Sequence, residues 1–224
     1  MYNIARYQIS KHGKEVQNLL DKYMIPVYLK RMGLTAEQQK DHVEIEYILD
    51  PKGAYNPNLD GLSLVVLDEN QKVRACQTNY YMNIKTSKQE LAEYKQFLAS
   101  CDIDKQSKLW KYLEQRNDFF DDYIKSIDNL LMKTSIDRFL CIESTIIDPK
   151  WRGRGLAEIL HKKSAYEVAH NEMAILEGMM PKRFWERNLK YHIDYCGFTL
   201  FSEGIAYDDY ACPAWYKLPN YTEK

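Results

Sequence analysis

Residues 146 to 157 read Ile146-Ile147-Asp148-Pro149-Lys150-Trp151-Arg152-Gly153-Arg154-Gly155-Leu156-Ala157. An apolar run ends at Ile147, two glycines sit among arginines, and a helix-like pattern starts at Leu156. Amide groups in the first turn of a helix have no acceptor inside it, and the helix dipole adds positive potential at the same end. Together they suit a phosphate group. Lys150, Arg152 and Arg154 add charge at this corner, in a chain whose net charge is only −1. An anionic ligand is the economical explanation.

Two familiar phosphate sites do not fit. A P-loop needs Gly-Lys followed by Ser or Thr, and here Leu156 follows Gly155. A dinucleotide fingerprint needs a third glycine where this chain has Glu158. What remains is Arg152-x-x-Gly155-x-Ala157 after a strand. This resembles the acyl-CoA signature of the GCN5-related N-acetyltransferase (GNAT) superfamily. Gly197-Phe198 follows at the distance where that family starts a later strand. The resemblance is specific from about residue 138 to 203.

The resemblance implies an α/β fold, with a GNAT-like mixed, mostly antiparallel sheet flanked by helices. It implies acetyl-CoA as cosubstrate, lying between two parallel strands that splay apart, here those ending near Ile147 and Met179. The strand residues Ile146 and Ile147 would border the cofactor. Its diphosphate would rest on Arg152, Gly153, Arg154, Gly155, Leu156 and Ala157. Asn188 would hydrogen-bond it, as a nearby asparagine does in many members.

Direct attack by an amine requires a neutral nitrogen. A free alkylammonium resembles lysine, with a pKa of about 10.4, so a base must remove its proton. Glu143 is the first candidate, on the strand leading into the motif and nine residues before Arg152. Serotonin N-acetyltransferase-like members place a catalytic histidine at that offset. Period-two alternation puts Cys141, Glu143 and Thr145 on one face. Burial there would push a carboxylate toward a working base, whereas a salt-bridged or solvent-facing Glu is the structural alternative. The departing thiolate benefits from a proton donor. Many members carry a tyrosine four residues before the Gly of Gly-Phe. That position is Ile193 here, flanked by Tyr191, His192 and Tyr195, and the tyrosines are the candidate donors.

Composition bounds the rest. At 224 residues, with 45% hydrophobic and 28% charged residues, the chain reads as one ordinary globular domain over residues 1–224. Near-neutral charge argues against a nucleic-acid partner, and no apolar run is long enough for a membrane span. The five cysteines and five histidines show no ligand spacing, so no metal site is expected. The odd cysteine count and the absence of an apolar block near Met1 point to reduced thiols and a cytoplasmic protein, as monomer or homodimer.

Along the chain, residues 2–9 read as a strand. Residues 14–32 read as a helix that Pro26 should kink or divide and Gly33 should stop. Thr35 and Gln38 resemble a capping box for a second helix reaching about Leu49, where Asp41, Glu44 and Glu46 could attract cations. Residues 62–67 and 73–82 read as a hairpin, and 139–147 as the motif strand. A helix over 156–169 has Leu156, Ile159, Leu160 and Tyr166 on its inner face. Residues 174–179 follow as a strand and 183–195 as a helix. Residues 198–202 and 207–216 make a final hairpin.

Residues 87–133 lack Gly and Pro and carry helical apolar spacing, which suggests two or three inserted helices. They form either a packed excursion or one wall of a substrate cleft. An insertion before the motif strand resembles arylalkylamine and dopamine N-acetyltransferase-like members. Those enzymes keep an acidic base near the end of the first helix; no carboxylate lies between Tyr23 and Met32 here, so that residue does not transfer. With 18 tyrosines in the chain, Tyr80-Tyr81 and Tyr207/Tyr210 either surround a cationic or aromatic amine or serve ordinary packing. The expected partner is a small-molecule amine, most readily an aralkylamine. The alternatives are a polyamine, an amino acid, a protein amine, or a non-catalytic acyl-CoA-binding module.

Overall fold

The computed structural model describes residues 1–35, 37–38, 54–133, 138–170, 174–181, 186, 190–195, 197–207 and 210–217, with backbone alone for most positions after Ile175. In chain order the elements are β1 (Tyr2–Arg6), α1 (Ile9–Tyr23), α2 (Ile25–Met32), β2 (Leu64–Asp68), β3 (Val73–Met82), α3 (Ile84–Ser100), α4 (Lys108–Lys133), β4 (Phe139–Ile147), α5 (Leu156–His170), β5 (Ala174–Pro181), β6 (Thr199–Tyr207) and β7 (Tyr210–Lys217). The architecture is α/β, with antiparallel strand pairs flanked by helices. Two compact units make up the chain: Met1–Tyr80 with Ile142–Lys163, and Tyr81–Cys141 with Ser164–Lys224.

In the first unit the strand order is β1-β2-β3-β4. β1 pairs antiparallel with β2 from Tyr2↔Asp68 to Arg6↔Leu64, and β2 with β3 from Leu64↔Gln77. Every residue of β2 is buried because both faces of the sheet are covered. Val65 and Leu67 join Val16, Leu19 and Leu20 of α1, together with Cys76 and Ile146. Leu64 and Val66 point the other way, onto Leu156 and Leu160 of α5. Each fully buried aliphatic side chain in these layers contributes about 1.5–3 kcal/mol. The two apolar layers therefore fix the start of α5 against the sheet.

Of the two outcomes expected at Pro26, a kink or a division, the structure has the division. α1 ends at Tyr23, and Pro26, whose missing N–H would interrupt a helix interior, sits in the first turn of α2. Gly33 stops α2 at φ 75°. Its amide donates to Lys30 O and that of Leu34 to Leu29 O, the paired bonds of a Schellman ending. Thr35 and Gln38 exchange the reciprocal capping-box bonds at 3.0 and 3.2 Å. The helix expected after them, with Asp41, Glu44 and Glu46, lies outside the described residues.

Two expectations need correction. The first strand stops at Arg6 instead of reaching Ile9, and α1 starts at Ile9 instead of Lys14. The reason is one distant cap and one local one: Asp60 Oδ1 accepts the Ile9 amide at 2.8 Å, and His12 Nδ1 accepts the Gln8 amide at 3.0 Å. Tyr166 is 65% exposed and not on the inner face of α5. It lies six residues past Leu160, and at 3.6 residues per turn that is the far side of the helix. Ser164 and Val168 occupy the inward positions.

His12 gives this helix start a pH dependence. Burial, with Lys11 adding to it, holds its imidazole below the usual histidine value of 6.5. The neutral ring accepts the Gln8 amide, and a proton on Nδ1 would remove that bond. The unfolded chain binds the proton first as pH falls, so stability present above pH ~6.5 is lost between there and the lower folded value. His12→Gln should therefore shrink the fall in Tm between neutral and mildly acidic buffer, measured against the parent chain. An unchanged fall would reject this role.

In the second unit the inserted stretch is two helices. Asn83 caps α3 through the Lys85 and Thr86 amides, and Ser107 Oγ accepts the Trp110 amide at the start of α4. Leu91 and Tyr94 are buried on α3, and Leu109, Leu113 and Ile127 on α4; the Tyr94 hydroxyl donates to Leu113 O at 3.2 Å. α4 also packs on β6. β5 pairs antiparallel with β7 from Ile175↔Lys217 to Pro181↔Tyr210, and β6 with β7 down to Tyr207↔Tyr210. The last hairpin is thus longer than expected: Tyr207 ends β6, and β7 starts at Tyr210.

Candidate functional site

β4 ends at Ile147, and the chain turns through one 3₁₀ turn over Pro149–Trp151. Asp148 organises it. Its Oδ1 accepts the Lys150 amide at 3.0 Å, and its carbonyl accepts the Trp151 amide at 2.7 Å. Arg152 is extended, and its Nε donates to Ile147 O at 3.2 Å. Gly153 and Gly155 then take φ values of 76° and 71°. This left-handed region is costly for any residue with a Cβ, and it explains why both positions are glycine. Among the described residues nothing lies within 4 Å of a Cβ built at either one, so the backbone surface there is bare of them.

The first internal bond of α5 runs from the Ile159 amide to Gly155 O at 3.1 Å. The amides before it have no acceptor within the helix. Lys150, Arg152 and Arg154 are exposed, and none has a carboxylate partner among the described residues. Arg154 instead lies over the Trp151 ring, 4.4 Å from its centroid. Bare glycine backbone, unpaired amides and three uncompensated cations fit a diphosphate. Leu156 serves by anchoring the helix in the core, at 2% exposure, while Ala157 is half-buried.

On β4 itself, Ile142 and Ile146 are buried, whereas Glu143, Ser144 and Thr145 are half-buried. Ile146 belongs to the α1-side core, and the Thr78 and Ser144 hydroxyls meet at 2.7 Å. Ile147 packs with Leu156 and Leu160. Alternation therefore puts Glu143 and Thr145 on the Ile147 side of the strand. Thr145 Oγ1 is buried with no hydrogen-bond partner among the described residues. Ile146, being a core residue, offers a ligand only its backbone.

The candidate acids belong to the second unit. Tyr191 is half-buried and opens a π turn over Tyr191–Tyr195; Ile193 is exposed. A π turn carries one residue more than an α turn, which shifts the register of side chains before Gly197. Gly197 has φ 68°, its amide donates to Ile193 O at 3.2 Å, and Phe198 behind it is buried. Only the backbone of Tyr195 is described, and Asn188 lies outside the described residues. Tyr80 packs on the α1-side core, and Tyr81 is 49% exposed.

Sequence reading missed one part of the corner. Arg74 of β3 bonds Asp68 through Nε and a terminal nitrogen, at 2.8 and 2.7 Å. Its other terminal nitrogen lies 3.5 Å from Asp148 Oδ2. No short motif connects these residues, so only the strand pairing brings them together. Among the described residues no cluster of metal-binding side chains occurs, and no helix is long and apolar enough to cross a membrane.

A strand, a glycine-arginine turn and a helix start within an α/β framework of this order define the GNAT fold, and solved structures agree. Arylalkylamine N-acetyltransferase 2 from Aedes aegypti superposes with a TM-score of 0.66 at 16% identity, over 98% of this chain and 99% of that one. The polyamine N-acetyltransferase of Drosophila melanogaster, which forms N-acetylagmatine, gives 0.65 at 11% identity, over 97% and 100%. A mosquito arylalkylamine N-acetyltransferase-like protein, 5b, gives 0.61 at 10% identity, over 97% and 100%. No family model and no curated protein matches the sequence.

Proposed function

We propose that this chain is an acetyl-CoA-dependent N-acetyltransferase acting on a small primary amine, in the first place an aralkylamine, in the cytoplasm. Fold alone does not define activity. The observation that carries the reading is the corner after β4: two glycines at positive φ, bare backbone, and Lys150, Arg152 and Arg154 without carboxylate partners among the described residues. It is built for a diphosphate, the group that acetyl-CoA presents. The full-length likeness to arylalkylamine and polyamine N-acetyltransferases supports an amine as the acceptor.

In this reading the amine nitrogen bonds to the acetyl carbonyl carbon, and the bond from that carbon to sulfur breaks. Glu143, directly or through a water, takes the proton that the ammonium must lose before attack; Tyr191 or Tyr195 gives one to the departing sulfur, and the second proton that the nitrogen sheds on becoming an amide restores that tyrosine. Thr145, on the same side of β4 as Glu143, has a buried hydroxyl with no partner among the described residues, and this hydroxyl would hold such a water.

The test is to incubate the protein with acetyl-CoA and a panel of aralkylamines, polyamines, amino acids and peptides while following free thiol. The expected result is thiol release fastest with aralkylamines. Faster release with polyamines, amino acids or peptides would reassign the acceptor. Tight CoA binding with no thiol release above buffer would replace the enzyme by a binding module.

A further inference from the structure

We infer that Arg74 is a positioning residue for acetyl-CoA binding, acting through Asp148 and Trp151 on Arg154. The inference rests on the diphosphate reading of the corner and adds what holds that corner in shape. Arg74 lies on a different strand from the motif, and its side chain is 28% exposed. It connects three groups.

On one side Arg74 is pinned to Asp68, a carboxylate only 5% exposed. Asp68 is itself fixed, because its Oδ1 accepts the Lys72 and Asn70 amides at 3.0 and 2.8 Å. On the other side Arg74 reaches Asp148, the residue that caps the turn before Arg152. The backbones are tied as well, with the Asp148 amide donating to Arg74 O at 2.9 Å. The Arg74 guanidinium carbon also lies 5.8 Å from the centroid of the Trp151 ring, the ring that carries Arg154 at 4.4 Å.

The charges give this geometry a direction. Two arginines near one indole would repel, but Asp68 and Asp148 neutralise Arg74. Arg154 has no such partner among the described residues. Arg74 therefore fixes Trp151 and the turn, while the charge of Arg154 is left for the anionic ligand. A planar guanidinium bonds two carboxylates through separate nitrogens while its face meets a ring; a lysine ammonium has one nitrogen to span the same distances.

A pure field effect and a positioning effect make opposite predictions. If only net charge matters, Arg74→Lys leaves CoA binding unchanged and Asp148→Asn tightens it by removing a negative charge. If Arg74 positions the corner, both weaken it, although the asparagine side chain of Asp148→Asn would still cap the Lys150 amide. Calorimetry with CoA should show Kd raised about tenfold in Arg74→Gln, equivalent to about 1.4 kcal/mol, and raised in the same direction by the other two variants. In turnover the change should fall on the KM for acetyl-CoA, with kcat nearly constant. Tighter binding in Asp148→Asn with unchanged binding in Arg74→Lys would overturn the inference. So would a lowered Tm with no change in Kd in all three variants. Failure of the parent chain to bind CoA would instead remove the diphosphate reading itself, and the inference with it.

Discussion

Gly155→Val should raise the KM for acetyl-CoA by more than about tenfold, a loss above about 1.4 kcal/mol, while the fold survives. Gly155 has φ 71°, and a branched side chain in that region is strained by about 1–2 kcal/mol. The chain can accept the strain or relax toward negative φ, and either course moves the amides that open α5. Because no described residue lies within 4 Å of the added Cβ, no described core atom is displaced, and the damage falls on the side where the diphosphate would rest. The chain contains its own control. Gly61 has φ 72° and equally open surroundings, but it sits in the turn before β2, bonded to Tyr7 O. Gly61→Val carries the same backbone strain without touching the corner. It should lower Tm about as much and leave the KM alone. Equal kinetic effects in the two variants would mean that strain, and not the loss of a ligand cradle, is being measured.

What was legible in the sequence follows from what is local. Gly33, Gly155 and Pro26 act through their own backbone geometry, so a single residue type announced each turn and break. The bounds of β3 and β4 came from apolar runs between turn signals and agree with the structure. The start of α1 was missed because its caps come from Asp60, distant in sequence, and from a histidine side chain that no pattern marks as a cap. Arg74 was missed for a related reason. Its partners Asp68 and Asp148 belong to separate segments, and only the pairing of strands brings them to one guanidinium. A buried polar group in β3, Gln77 and Asn79 with Ser63 just before β2, was equally invisible, since nothing in a strand-like stretch distinguishes a buried amide from an exposed one. The glycine-arginine turn after β4 was readable because it is a single continuous segment. The backbone before Gly197 was not, because no spacing announces the π turn over Tyr191–Tyr195.

Glu143→Gln carries the other large expected effect. It should lower kcat by roughly 100-fold or more, the usual contribution of a positioned base, and leave the KM for acetyl-CoA close to that of the parent. The two parameters separate because Glu143 lies on β4, ahead of the turn over Pro149–Trp151 that opens the corner. The sign of the pH effect is fixed by the role. A base works only when ionised, so kcat of the parent must fall as pH is lowered through the titration of Glu143 in the complex, and that acidic limb should vanish in the variant. Acceptors supply a second check. An amine of low basicity needs less help to lose its proton, so the defect should shrink along a series of acceptors of falling pKa. If Glu143 instead only braces β4, the variant should unfold at lower temperature, keep the acidic limb and show the same loss with every amine. The limb and the acceptor series thus distinguish proton removal from packing in one set of rate measurements.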